Sequence, residues 1–441
     1  MQYDSVRTVL NDGVQRREVF GWAAYDFANS GYTTVVLTAV FNAYFVGVVT
    51  QGQSWGTLAW TLTLGVSSLL VMLTAPGIGA HADRHGRKKL LLGLATAACV
   101  LGTAGLALVG RGDLWLAVVL IILTNYAFSL GETLNGAFLP ELARPGHVGT
   151  VSGWGWSFGY FGGMLTLGLS LAWVMQQQRA GASPEQFVPG TMLITAVVFA
   201  LASLLTFVLL RERAGQPGAP LHRPEESGLQ QLLRSYRKLS SVPQFARLLV
   251  CGVLYQAGIS VVITLAAVYA AEVMGFTQTQ TMMLVFLVNI AAALGAFGFG
   301  YLQDRVGHRR ALAITLAAWI LMVILAYFAR SATLFWVAAV FAGLAMGSSQ
   351  SCGRAMVALL APPSMLAEFF GLWAFATRLA AVIGPVTYGV ITWVTEGNHR
   401  MAMLVTGLFF VAAWWVLRRL DMSAGQDQAA ALQAAQRRPI A

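Results

Sequence analysis

About twelve times along the chain, a run of roughly 20 or more apolar residues is closed by charge, Pro or Gly. The runs fall near 19–49, 57–80, 90–109, 113–136, 150–175, 190–210, 245–272, 279–302, 311–329, 333–357, 369–395 and 400–420. A helix rising about 1.5 Å per residue needs that length to cross the hydrocarbon core of a bilayer. No water is available there for backbone N–H and C=O groups, so each run has to satisfy them internally as a helix. Composition agrees: 57% of the 441 residues are hydrophobic and 10% charged, against about 25% charged in soluble domains. The expected fold class is an all-α membrane protein with twelve transmembrane helices.

The net charge of +10 does not point to nucleic acid. Only Lys88, Lys89 and Lys238 are lysines, and the arginines lie mainly between the apolar runs. When successive connections are assigned to alternate sides, about 23 of the 28 basic residues share the side of the two termini. Arg111, Arg179, Arg330 and Arg400 fall on the other side, and Arg378 lies inside a run. The excess predicts a plasma (inner) membrane protein with both termini cytoplasmic. The polar start, MQYDSVRTVLNDGVQRREVF, has no cleavable-signal pattern, so the first span should direct insertion. Cys99, Cys251 and Cys352 sit singly in apolar runs and read as packed thiols.

Residues 1–210 form one set of six spans and 245–420 another. Between them, 211–244 begins as a flexible linker, RERAGQPGAPLHRPEESG, and continues with Leu229, Leu232, Leu233, Tyr236 and Leu239 at helical spacing. That spacing, beside Arg234, Arg237 and Lys238, predicts a short amphipathic helix on the cytoplasmic surface. The tail, 421–441, is rich in Ala and Gln from Ala424 and reads as frayed or loosely helical.

The strongest internal signal is a repeat. GAHADRHGRKK (Gly79–Lys89) follows the second span and GYLQDRVGHRR (Gly300–Arg310) the eighth, an ungapped alignment at an offset of 221 residues. Both read G-x-x-x-D-R-x-G-x-[KR]-[KR]. The first glycine lets helices approach, Gly86 and Gly307 permit a tight turn, and the Asp can accept from free amides at a helix start. Two halves repeated in parallel suit a carrier that rocks about a central site.

At these residues the chain resembles the major facilitator superfamily, whose loop between helices two and three has this form. The resemblance implies two pseudo-symmetric six-helix bundles and a gating role for Gly79, Asp83, Arg84, Gly86 and Arg87 and for their counterparts Gly300, Asp304, Arg305, Gly307 and Arg309. It implies that Asp83 latches the start of helix eleven, beyond PPSMLAE where Ser364 can cap, with Arg354 as the expected partner of Asp304. The segments WAAYDFANSGYTTVVLTAVF and GSSQSCGRAMVALLAPPSMLAEFFGLWAFATRLAAVIGP resemble the vacuole-effluxer-like family, which includes fungal vacuolar exporters of neutral amino acids. Two departures count against proton-for-drug exchange: span four carries Glu132 and no arginine, and span five, with GWGWSFGYFGG, lacks a Gly-Pro pair.

Charges at membrane depth cost about 2.5–3.5 kcal/mol each on insertion scales and turn toward a cavity or a partner. Asp26, Asn29 or Ser30, and Thr33 share one face of span one; Asn125, Ser129 and Glu132 share one of span four; Gln256, Ser260 and Thr264 do so in span seven, and Gln350 and Arg354 in span ten. In the resembling superfamily these four helices surround the cavity. Asp26 and Glu132 are expected to meet there, and two close carboxylates in poor solvation make a candidate proton site. Arg378 in span eleven can bind a substrate carboxylate or pair with an acid across the cavity, and Tyr160, Tyr255 and Trp373 can wall it. The substrate set expected is therefore Asp26, Asn29, Asn125, Glu132, Tyr160, Gln256, Gln350, Trp373 and Arg378.

All six histidines lie between spans without metal-ligand spacing, and no phosphate-binding loop is present, so neither enzyme chemistry, a metal nor a cofactor is expected. The reading is a monomeric secondary carrier, by alternating access, of a small polar or zwitterionic solute, neutral amino acids in export being favoured by resemblance, with protons as a candidate coupling ion. The alternatives are a proton-coupled exporter of sugars or hydrophobic xenobiotics, and a non-transporting membrane receptor or scaffold.

Overall fold

The computed structural model describes residues 9–53, 55–213, 237–276, 278–396 and 398–437. Among them are twelve helical segments long and apolar enough to cross a membrane. Spans one to six are Arg16–Val49, Ala59–His85, Lys88–Leu108, Leu114–Leu142, Pro145–Arg179 and Pro184–Leu209. Spans seven to twelve are Pro243–Ile263, Met283–Val306, His308–Phe328, Ala332–Leu360, Pro363–Thr392 and His399–Arg418. With an even number of spans, both termini emerge at one end, called here the termini end.

Span one is the least regular. It winds as α-helix to Tyr32 and then opens into wide π-turns over Thr33–Ala39 and again over Phe45–Val49. The threonines return hydroxyls to carbonyls along the turn: Thr33 Oγ1 donates to Asn29 O and Thr34 Oγ1 to Ser30 O. Insertions of this kind gather at functional sites. They begin here one turn beyond Asn29.

The repeat belongs mostly to helix rather than loop. Span two continues as helix through Asp83 to His85, and Gly86 stops it with φ +60°. Span eight runs to Val306 and Gly307 takes φ +91°. Both values lie in the left-handed region that only glycine enters at little cost. Asp83 and Asp304 thus project from last helical turns, where a carboxylate can reach the start of a neighbouring helix.

The first glycine of each copy serves the contact between halves. A Cβ on Gly79 would collide with the carbonyl of Ala367 in span eleven, and one on Gly300 would lie 3.1 Å from Gly149 O and 3.1 Å from Gly153 Cα in span five. Spans two and eleven therefore meet backbone to backbone, as do spans five and eight.

One expectation is narrowed and another falls outside view. Of the two readings of the tail, the helical one holds over Met422–Arg437, which is docked: Gln244 Oε1 accepts from Asp421 N at 3.0 Å, and Gln428 Oε1 accepts from Gln244 N at 3.1 Å. Its alanines favour helix, and Ala429 is buried. Of the amphipathic helix, residues up to Tyr236 lie outside the described residues, and Leu239 opens a 3-10 turn, Leu239–Ser241. The three cysteines are buried free thiols.

Candidate functional site

Residues from the two halves meet through contacts within about four turns of the termini-end helix ends. Glu368 N donates to Asp83 Oδ2 at 3.0 Å. In the other copy Gly149 N and Thr150 N donate to Asp304 Oδ1 and Oδ2 at 2.9 and 2.6 Å. Each aspartate thus takes amides from the first turn of a helix in the opposite half, where N–H groups have no partner within their own helix.

Asp304 is satisfied by those amides, with His308 Nε2 at 3.8 Å, and its expected partner Arg354 goes elsewhere. The supporting cations also differ from expectation. Lys88 Nζ lies 3.5 Å from Asp83 and donates to Glu141 at 2.7 Å, whereas Arg84, Arg87 and Arg305 are exposed and Arg309 donates to Leu420 O. A buried lysine between two carboxylates does what the exposed arginines cannot, since solvent screens the latter.

The ends of the linker join the same network. Glu212 Oε1 accepts from Lys88 N at 2.7 Å, and Arg213 Nη2 donates to both oxygens of Glu18 at 3.1 and 2.9 Å. At its far end Lys238 Nζ donates to both oxygens of Glu368 at 2.7 and 2.8 Å. Asp304→Asn is expected to open the termini end more than Asp83→Asn, because it weakens two charge-assisted bonds rather than one, each worth roughly 1.5–3 kcal/mol. The crosslinking rate of a cysteine pair across spans five and eight, against one across spans two and eleven, measures the difference.

Deeper between the halves lies the pair that spacing did not reveal. Arg354 Nη1 donates to Asp26 Oδ2 at 2.5 Å, Nη2 to Ser152 O at 2.8 Å and Nε to Ser152 Oγ at 3.2 Å. Its guanidinium lies 4.7 Å from the centre of the Trp22 ring and 5.2 Å from that of Trp156. Asn135 Nδ2 donates to Asp26 Oδ1 at 3.1 Å, and Trp22 Nε1 donates to Asn135 O. Asp26, Trp22, Asn135, Ser152 and Trp156 belong to the amino-terminal half; Arg354 alone comes from the other. Gly155 makes the space: a Cβ there would lie 2.5 Å from Asp26 Oδ2 and 2.6 Å from Arg354 Nη2.

A second pair crosses between the halves. Arg378 Nη2 is 3.7 Å from Glu132 Oε2, with 19% and 45% of the two side chains exposed. Four residues toward the termini end, Gly136 packs on the Phe370 ring of the other half. Asp26 and Glu132 each have an arginine of the other half as ion-pair partner.

The remaining expected residues divide. Gln256 Nε2 donates to Gln350 Oε1 at 2.9 Å, joining spans seven and ten. Asn125 Nδ2 donates to Ser67 Oγ at 3.0 Å, and Asn29 and Asn125 each keep a buried oxygen with no hydrogen-bond partner among the described residues. Arg378 Nε and Tyr255 OH are likewise buried and unpartnered. Tyr160 lies 6.0 Å from Trp156, between ring centroids. Trp373 packs against Tyr255 and the surfaces of Gly252 and Gly353. The side chain of Thr264 lies outside the described residues. No cluster of three or more His, Cys, Asp or Glu capable of holding a metal occurs among the described residues.

The family model described as "Vacuole effluxer Atg22 like" matches residues 57–430. The uncharacterized MFS-type transporter YxiO of Bacillus subtilis (strain 168) is 25% identical over 400 residues, covering 88% of this chain and 91% of that one. The ectoine/proline transporter ProP of Corynebacterium glutamicum is 26% identical over 331 residues, 69% of this chain and 62% of that one. The crystal structure of the human organic anion transporter MFSD10 (TETRAN) is similar with a TM-score of 0.72 at 18% identity, over 91% of this chain and 99% of that one, a likeness of fold. A match over most of the sequence and twelve spans in two halves lead to one conclusion: the chain is an integral multi-pass membrane protein, a secondary transporter of the major facilitator superfamily and not an enzyme, and it belongs to the vacuole effluxer Atg22-like family.

Proposed function

We propose that the protein exports a small zwitterionic solute of the neutral amino-acid class, with both termini in the cytoplasm. The observation that carries this reading is the Glu132–Arg378 pair. Its charges are opposite, come from opposite halves, stand 3.7 Å apart and keep part of their surface exposed. A well-made ion pair has its N and O atoms at about 2.7–2.9 Å. A solute with an ammonium and a carboxylate can replace that one long contact with two shorter ones, the ammonium on Glu132 and the carboxylate on Arg378.

Unused capacity nearby supports the same chemistry. Arg378 Nε and the oxygens of Asn29 and Asn125 are buried without partners, a state that costs free energy until filled. The name of the ectoine/proline transporter supports a solute of this charge type. Because the arginine and the glutamate sit on different halves, the bound solute ties the halves together. Binding energy then favours closing the end opposite the termini over the solute, the step that lets the termini end open in exchange.

The test is ligand-dependent thermal stabilisation of purified protein across neutral amino acids, sugars and apolar drugs. A ligand at 100 times its dissociation constant stabilises by about 2.7 kcal/mol. Neutral amino acids are expected to raise the melting temperature and sugars to leave it unchanged. Stabilisation by sugars or drugs alone contradicts the reading.

A further inference from the structure

The Asp26–Arg354 contact has the make-up of a binding site whose occupant is part of the protein. Two indole faces at 4.7 and 5.2 Å, a carboxylate at 2.5 Å and the Ser152 carbonyl at 2.8 Å surround one guanidinium. These groups recognise organic cations in general: aromatic faces attract a cation within about 6 Å of the ring centre, and carboxylates and carbonyls take its N–H donors. The cage also holds an acceptor that Arg354 leaves unused, because Asn135 Oδ1 is buried without a partner among the described residues.

Ownership of the parts is asymmetric. The cage is built on spans one, four and five of the amino-terminal half, and Asn135 and Trp22 brace it within that half. Only the cation arrives from span ten. In a transporter whose halves separate at the termini end, Arg354 leaves with its own half and the cage remains assembled.

We infer that the vacated cage is a second ligand site, distinct from Glu132–Arg378, that takes an organic ammonium or guanidinium group from the termini side, and that Arg354 is its tethered competitor. A cation in the cage holds the termini end open, because Arg354 cannot return while the cage is filled. Return of Arg354 expels the cation toward the rest of the chamber. By reciprocity, whatever favours closure of the termini end weakens cation binding in the cage by the same factor. That the natural occupant is the ammonium of the zwitterionic solute rests on the proposed function; that the cage binds a cation does not.

In Arg354→Ala the cage is empty in every conformation. Methylguanidinium chloride at millimolar concentration is expected to raise the melting temperature of this variant by about 2 °C or more over an equal concentration of sodium chloride. The same salt should leave the wild type, whose cage is occupied, nearly unmoved. Adding Asp26→Asn to Arg354→Ala should remove the response. No shift beyond the salt control, or an equal shift with Asp26→Asn, overturns the inference.

Should Arg354→Ala fail to accumulate, the titration is made on Asp83→Asn, in which the latch is weakened and the cage empties more often. A smaller shift that disappears with Asp26→Asn supports the inference, and no shift overturns it. Failure of neutral amino acids to stabilise the wild type would remove the zwitterion reading while leaving the methylguanidinium result in force, so the two failures are distinguishable.

Discussion

Replacing Arg378 by alanine should lower the affinity for the transported solute about 10²-fold or more, with the protein still reaching the membrane. Truncating one partner of a desolvated, hydrogen-bonded charge pair, which the solute carboxylate forms with Arg378 in the proposed complex, costs about 2–5 kcal/mol, much of it from the charge left behind. In the empty protein the charge left behind is Glu132, with 45% of its side chain exposed. Water can therefore partly solvate it in the absence of solute, which is why folding should survive. The bound solute has no such relief, because its carboxylate would enter the chamber without a counter-charge.

Arg378→Lys should recover only part of the loss. It restores the charge without the planar fork that binds a carboxylate through two parallel N–H groups. Glu132→Gln should weaken binding in the same direction by removing the ammonium partner. Equilibrium binding of the solute identified by thermal stabilisation checks all three; affinity within threefold of wild type in Arg378→Ala contradicts the assignment.

The second large effect falls on a residue with no functional group. Gly155→Ala is expected to prevent closure of the termini end and to reduce transport at least tenfold. The added carbon would lie 2.5 Å from Asp26 Oδ2, 2.6 Å from Arg354 Nη2 and 2.7 Å from the Trp22 ring. None of these is the loose end of a mobile side chain. All three are parts of the buried inter-half pair and its aromatic wall, so something in the pair has to give. Removing one partner of a buried ion pair costs about 3–5 kcal/mol because a charge is left uncompensated; a cost on that order, from forcing the pair apart, is enough to move a conformational equilibrium by about two orders of magnitude or more.

Opening can be read from a cysteine at Ser351, whose backbone carbonyl accepts from Ser152 Oγ across the halves and whose side chain is buried. A maleimide reagent should label it slowly in the wild type and much faster with Gly155→Ala. Equal labelling rates would show that the pair is no part of the closing contact. Cys99, Cys251 and Cys352 are buried and supply a low background.

Much of this was legible in the sequence, and the illegible part has a physical cause. Apolar run length gives span count because hydrocarbon thickness sets it, and all twelve are found. The repeat located both aspartates that accept amides from the opposite half, because a glycine at φ > 0 and an acid three residues before it have few other uses together. Spacing along a helix reports which residues share a face. It does not report which face of another helix stands opposite.

That is why the sequence pairs Arg354 with Asp304. Both lie near the termini end, yet the amides of Gly149 and Thr150 already fill Asp304, and Arg354 turns to Asp26. The indoles show the same limit. Trp22 and Trp156 are indistinguishable in sequence from the other tryptophans of the membrane surface or packing core, since a cation held between two rings is a property of three helices at once. Gly155 could have been suspected from GWGW, where a small residue between two large ones leaves a gap. The filled gap, a guanidinium and a carboxylate, required the fold.

The central claim is that the halves close at the termini end through Asp26–Arg354 and exchange that closure for one at the opposite end when solute binds. Spin labels at His85 and Arg310 report the separation of the halves at the termini end, and labels at Arg111 and Arg330 report it at the other; all four positions are exposed. Electron–electron distance measurements on these two pairs, with and without solute, should show one distance distribution lengthening as the other shortens. Two distances that move together, or that both ignore a solute shown to bind, contradict the account.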